Sequence, residues 1–249
     1  MTAGAPLLTV DRVRKSFGAL RAVDDVSFAV EQGEIFGIAG PNGSGKSTLF
    51  NIISSIPFGP DEGRVVFAGR DLRGLKGHEI ARLGLARTFQ RETSFDTLSV
   101  FDNALMGATY GLGERAPGKT APKAAQALEF AGFEPRQLER PASELSVYDR
   151  KCLMLASALA MSPQLLMPDE PASGLTRPEI EALIALIRRV AASGIAILLI
   201  EHVLTVLLAL SRRLMVLNQG RVLVLGEPDS VVQDPEVIRA YLGDRKRPA

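Results

Sequence analysis

One short run carries the densest chemical signal in the chain: Gly40, Pro41, Asn42, Gly43, Ser44, Gly45, Lys46, Ser47 and Thr48, reading GPNGSGKST. Gly40, Gly45, Lys46 and Ser47 fall at the spacing GxxxxGK[ST]. Glycines let backbone N–H groups turn inward onto an oxyanion with no Cβ in the way. Lys46 supplies a charge that reaches terminal phosphates, and the Ser47 hydroxyl is a hard oxygen suited to Mg2+. Residue types in this order imply the holding of a nucleoside triphosphate such as ATP together with Mg2+. A chain of this length matches the pattern by accident on the order of one per cent of the time.

Such a loop needs a strand before it and a helix after it. Glu34 to Ala39, with Ile35, Phe36 and Ile38, reads as the strand, and Ser47 to about Ser55 as a helix whose N-terminus faces the anion. Two more apolar runs end on chemistry. Gln164 to Met167 ends at Asp169 and Glu170, and Ile195 to Ile200 ends at Glu201 and His202. Between them Ile180, Leu183, Ile184, Ile187 and Val190 keep helical spacing, with Gly194 just past the end. A strand, helix, strand crossover is the unit of a parallel sheet, and such sheets bind ligands at the C-terminal edge of their strands. Three strands therefore converge on Gly40, Asp169 and His202. On that edge Asp169 is placed to hold Mg2+, Glu170 to orient or deprotonate an attacking water, and His202 to touch a γ-phosphate. Each of these alone is more often a solvated strand end; the convergence raises their weight. Gln90, read as following a helical segment over Ala81 to Arg87, is a further candidate contact to nucleotide and Mg2+. Phe17, between strands at Leu7 to Arg14 and Val23 to Val30, is placed to stack on an adenine ring or to fill core.

The remaining pattern is a mixed α/β chain. Val65 to Ala68, bracketed by Gly63 and Gly69, extends an early, partly antiparallel sheet. Asp96 to Glu144 is helical, broken by a Gly- and Pro-rich stretch from Gly107 to Pro122, and predicts an inserted helical subdomain over 96–160 within a core of 1–95 and 161–249. Leu214 to Leu217 and Arg221 to Leu225 predict a hairpin around Asn218, Gln219 and Gly220, and a last helix runs from about Pro228 to Leu242. Pro168 removes a ladder donor just before Asp169. At 249 residues and 46% hydrophobic content the chain can bury a full core. A net charge of +1 with no basic stripe argues against a nucleic-acid partner. The single cysteine, Cys152, reads as core filler compatible with a reducing cytoplasm. His78 reads as a solvated helix start. No leader pattern opens the sequence, and the most apolar run, Ile195 to Leu210, is too short for a bilayer and carries Glu201 and His202. A soluble chain is expected, with any membrane role supplied by partners.

Phe17, GPNGSGKST, Gln90, Leu145 with Ser146, LLMPDEP from Leu165, SGL from Ser173, and His202 together resemble the ATP-binding subunits of ABC transporters, across essentially the whole chain. GLARTFQ (Gly84 to Gln90) and AYLG (Ala240 to Gly243) resemble the branched-chain amino acid importer ATPases, with features that urea and amide importers share. The resemblance implies a phosphate-loop NTPase fold of two lobes and a head-to-tail dimer with ATP between subunits. It implies Glu170 as catalytic base, His202 as switch residue, and Ser146 as a contact to the ATP bound by the opposite subunit. It also implies two membrane permease subunits coupled near Gln90, a periplasmic solute-binding protein reached indirectly, and a peripheral place on the cytoplasmic face of the inner membrane. Three positions depart from the family pattern. Leu145, Ser146, Val147, Tyr148, Asp149 stands for an LSGGQ-type signature, Ser157 for an arginine, and Thr176 for Asp or Asn, although Thr176 with Glu179 makes a capping box. The degenerate signature predicts a heterodimer with a second ATPase. Two other readings stay open: an ATP-binding module with little hydrolysis of its own, and a soluble ABC ATPase unconnected to transport.

Overall fold

The computed structural model describes residues 5–89, 94–111 and 117–242. The chain runs β1 (Leu8–Phe17), β2 (Leu20–Val30), β3 (Ile35–Ala39), α1 (Lys46–Ser54), β4 (Glu62–Phe67), β5 (Arg70–Asp71), α2 (Gly77–Arg82), β6 (Leu85–Arg87), α3 (Val100–Gly111) and α4 (Pro117–Phe130). It continues through α5 (Val147–Ala160), β7 (Leu165–Met167), α6 (Arg177–Ala192), β8 (Ala196–Ile200), α7 (Leu204–Leu210), β9 (Arg213–Asn218), β10 (Arg221–Gly226), α8 (Pro228–Val232) and α9 (Pro235–Leu242).

β3 and β8 are buried at every position, as strands covered on both faces must be. They lie in a six-stranded sheet of order β10-β9-β3-β8-β7-β6, parallel except for the edge strand β10. Side chains alternate along each strand, so the sheet feeds two cores. Phe36, Ile38, Leu198 and Met215 join α1 and the inner face of a second, antiparallel sheet of order β2-β1-β4-β5. Ile35, Leu199, Leu214 and Val216 join the helices of the opposite layer, among them α6 and α7, and that core runs on into α3, α4 and α5, which pack on one another. Cys152 is buried there, as a filler should be. Among the described residues no helix is long and apolar enough to cross a membrane.

Four local expectations change. The helical reading of Ala81 to Arg87 is half right: α2 ends at Arg82, Gly84 takes φ +101°, and Leu85 to Arg87 form β6, paired in parallel with β7. Three strand residues are too few to show a period, and the break lies in the glycine. The stretch from Gly107 to Pro122 is mostly helix, since α3 runs through Gly107 and α4 carries Pro122 inside it. Gly107 is a packing residue, because a Cβ there would overlap the backbone of Ser157 on α5. The single last helix is two, α8 and α9. Pro235 cannot continue α8, and the Asp234 carboxylate accepts the Glu236 N–H (2.7 Å), opening α9 with Pro at its first turn. Pro168 does not displace its neighbour: its carbonyl accepts the Ile200 N–H (3.1 Å), and the Glu170 N–H returns to the Ile200 carbonyl (2.9 Å). The ladder skips one donor and holds Asp169 opposite Ile200.

Candidate functional site

After β3 the chain turns through residues 40–45 and enters α1 with Gly45 at the N-cap position, φ +105°. No side chain caps this helix and no acid stands in its first turn, so its leading N–H groups and dipole are left for an anion. The glycines have a reason the sequence did not show. A Cβ on Gly40 would overlap the Leu217 carbonyl oxygen, and one on Gly45 the Ala22 carbonyl oxygen, so the fold needs both before any phosphate arrives. The β9–β10 turn braces the loop, with the Gly220 N–H on the Ser44 carbonyl (2.9 Å). From the far end of the chain, the Tyr241 hydroxyl accepts the Gly40 N–H (2.7 Å).

Lys46 is buried and donates to the carbonyls of Gly40 (2.7 Å) and Pro41 (3.1 Å). Burial lowers its pKa, against the opposing charges of Glu170 and Asp169. Asn42 to Thr48 line a cleft of about 660 Å³ that also touches Phe17 and Glu170. Phe17 is 46% exposed, edge-on to Phe58 at 5.2 Å, which leaves ring surface open to a flat ligand. Lys46→Ala is expected to weaken ATP binding roughly ten- to a hundredfold, the loss of a charge-assisted contact worth about 1.5–3 kcal/mol. Calorimetry is the check, and an unchanged affinity would remove the loop from the phosphate site.

Across the cleft, Asp169 is only 4% exposed. One oxygen, Oδ2, accepts from Arg87 Nη2 (3.0 Å), while Oδ1 is buried without a partner. Burial pushes the Asp169 carboxyl up, and the Arg87 hydrogen bond and charge pull it back. A buried carboxylate oxygen without a partner and, separately, an exposed Ser47 hydroxyl at the start of α1 are both hard oxygens of the kind that suits Mg2+ or a water bound to it. Among the described residues there is no group of three or more His, Cys, Asp or Glu that could hold a metal ion. Glu170 sits at φ +50°, a strained backbone for a residue with a Cβ. His202 Nδ1 lies 3.7 Å from Glu170 Oε2 and 3.8 Å from Glu201 Oε2.

Glu201 and Arg87 are the residues that sequence reasoning passed over. Glu201, with no exposed surface, accepts from the backbone N–H groups of Ala172 (2.6 Å), His202 (3.0 Å) and Val203 (3.2 Å). It ties the segment after Glu170 to the one carrying His202. Its signal was an acid inside the most apolar run, where an unpaired charge is too costly to keep. Arg87 was legible the same way, as the one charge in Leu85 to Arg87.

Not every sequence candidate joins this cleft. Gln90 lies outside the described residues. Ser146 is exposed at the start of α5 and is not among the residues lining the cleft. It caps that helix, accepting the Asp149 N–H (3.1 Å) and donating to Asp149 Oδ2 (2.9 Å). Thr176 and Glu179 do form the expected capping box on α6. Ser157 donates to the Asn103 carbonyl (3.2 Å), binding α5 to α3.

A mostly parallel sheet with a glycine loop leading from one strand into an uncapped helix, and carboxylates just past the end of the strand two places away, defines a phosphate-loop NTPase of the α/β class. Comparison with known proteins narrows this. A family model described as ABC transporter matches residues 23–173, and one described as branched-chain amino acid ATP-binding cassette transporter matches residues 221–247. The high-affinity branched-chain amino acid transport ATP-binding protein LivG of Salmonella typhimurium is 37% identical, over 96% of this chain and 98% of its own. The lipopolysaccharide export system ATP-binding protein LptB of Acidithiobacillus ferridurans is 34% identical over 96% and 98%. A crystal structure of the ADP conformation of an ATP-binding cassette of an ABC transporter superposes with a TM-score of 0.89 at 31% identity, over 97% of this chain and all of that one. The chain belongs to the ABC transporter ATP-binding family, and it is an ATPase.

Proposed function

We propose that this chain powers an importer for branched-chain or related amino acids, hydrolysing ATP on the cytoplasmic face of the inner membrane beneath two permease subunits that take solute from a periplasmic binding protein. The observation that carries the solute class is the match over residues 221–247, joined to 37% identity with LivG along nearly the whole chain. In this reading the Gly40 to Thr48 loop holds the phosphates, Phe17 stacks on the adenine, and Lys46 leaves the loop carbonyls to reach the terminal phosphates. Ser47, Asp169 and Gln90 hold Mg2+, which when bound neutralises charge on the phosphate oxygens. Glu170 takes a proton from the attacking water, and His202, within reach of its carboxylate, contacts the γ-phosphate. Residues 96–160 form the helical subdomain and 1–95 with 161–249 the core, a division supported by the mutual packing of α3, α4 and α5.

ATP lies between two subunits, with Ser146 of one facing the phosphate loop of the other. The engagement of Ser146 with Asp149 supports a heterodimer, in which this chain lends a weak signature to its partner and receives an intact one. The same contact favours the second reading, an ATP-binding module with little hydrolysis of its own. Reconstitution in proteoliposomes with the permeases and binding protein tests the proposal. Hydrolysis is expected to rise when the binding protein carries leucine, isoleucine or valine. No response to any of them would overturn the solute class.

A further inference from the structure

We infer that Arg87 is a positioning residue for Mg2+, fixing one oxygen of Asp169 so that the other faces the ion. This rests on the reading of Asp169 as a metal ligand. The guanidinium is 6% exposed, held at the end of β6, and bridges the helix after the phosphate loop to Asp169. Nη1 donates to Asn51 Oδ1 (2.8 Å) and Ser54 Oγ (3.1 Å), both on the helix that begins at the phosphate loop. Nη2 donates to Asp169 Oδ2 (3.0 Å). The ring of Phe89 lies 4.9 Å and that of Phe50 5.5 Å from the guanidinium carbon, which limits its freedom further.

A carboxylate is planar, so holding Oδ2 on Arg87 restricts rotation about the Cβ–Cγ bond and with it the direction of Oδ1. Oδ1 is the buried oxygen without a partner. Arg87 therefore does for Asp169 what an outer hydrogen-bond partner does for a metal-binding histidine: it selects one orientation before the ion arrives. Because Asn51 and Ser54 lie on α1, the same guanidinium also sets the distance between Asp169 and the helix whose first turn carries Ser47. A lysine cannot repeat this, since its single head has no planar fork to serve both α1 and Asp169.

The test is calorimetry of ADP binding to the folded full-length chain at stepped Mg2+ concentrations and in EDTA. With Arg87→Met, the Mg2+ concentration needed for half of the metal-dependent gain in ADP affinity is expected to rise about ten- to a hundredfold. ADP affinity in EDTA is expected to stay within about twofold, as the phosphate loop is untouched. An unchanged Mg2+ dependence would overturn the inference, and so would an equal loss of affinity in EDTA, which marks a structural role only. Should Arg87→Met fail to fold, Arg87→Lys keeps the charge and stem and is expected to raise the Mg2+ requirement roughly tenfold; no rise overturns the inference equally. Asp169→Asn separates the two layers: if it leaves the Mg2+ dependence intact, the reading of Asp169 itself is wrong, whereas a loss with Asp169→Asn and none with Arg87→Met removes Arg87 alone.

Discussion

Glu170→Gln is expected to slow steady-state ATP hydrolysis by roughly a hundred- to ten-thousandfold while nucleotide affinity stays within about twofold, because it deletes a base and keeps its shape. The geometry makes the substitution clean. The Glu170 backbone is set by its N–H on the Ile200 carbonyl (2.9 Å) and by the ladder through Pro168, none of which involves the carboxylate. A glutamine therefore inherits the φ of +50° and the same place on the cleft wall. Its amide still reaches toward His202 but takes no proton. The assay needs every partner subunit, with binding measured on the same preparation. Hydrolysis at the original rate would mean that another group activates the water.

Repairing the signature is the second large effect. Changing Val147→Gly, Tyr148→Gly and Asp149→Gln is expected to raise hydrolysis at the site that borrows this signature about a hundredfold or more, since two phosphate hydrogen bonds of about 1.5–3 kcal/mol each are recovered. The changes are unequal. Val147 is 46% exposed, so glycine there removes little packing. Tyr148 is partly buried against the helical core, and its loss costs packing, less than the roughly 3–5 kcal/mol of a fully buried aromatic. Asp149 matters most: its carboxylate occupies the Ser146 hydroxyl and sets negative charge at the start of α5, where an incoming phosphate would need the helix dipole. Asp149→Gln with Val147→Gly alone is thus the first variant to measure, in the heterodimer, against the triple variant checked for folding. No gain from either would place the limit at other departures such as Ser157 or Thr176. The proposed heterodimer makes a related demand, that the isolated chain hydrolyse ATP more slowly than the assembled complex.

How much of this was legible differs residue by residue. Gly40 to Thr48 could be read at once because each residue type has one physical task at a fixed spacing. That further parallel strands end at its side of the sheet followed from apolar runs ending in Asp169, Glu170 and His202; their order did not. The reason for Gly40 and Gly45 could not be read, because the carbonyls of Leu217 and Ala22 that exclude a Cβ come from distant parts of the chain. β6 was hidden by being three residues long, and the break between α8 and α9 lay in plain view at Asp234 and Pro235 but was outweighed by the apolar spacing around it. Arg87, inside GLARTFQ, and Glu201 were visible only as charges in or beside apolar runs. Their partners could not be read, because these come from distant parts of the chain. Ser146 was legible only through the family resemblance, which implies a ligand bound by a second subunit.

The bond from the Gly40 N–H to the Tyr241 hydroxyl spans 201 residues. β3 itself lies between β8 and β9, and the ion pair that anchors its start, Glu34 with Arg213, spans 179. At roughly 5–20 residues per second of synthesis, the first glycine of the phosphate loop waits about ten to forty seconds on the ribosome for the tyrosine that receives it. For most of that interval, until β8 and β9 have been made, the strand bearing Phe36 and Ile38 has neither neighbour in place, and its open edges are available to chaperones or to other nascent chains. A chain truncated before Tyr241 would keep every residue of the phosphate loop and lose the hydroxyl that accepts the Gly40 N–H, so the brace on that loop is completed only when residue 241 is made.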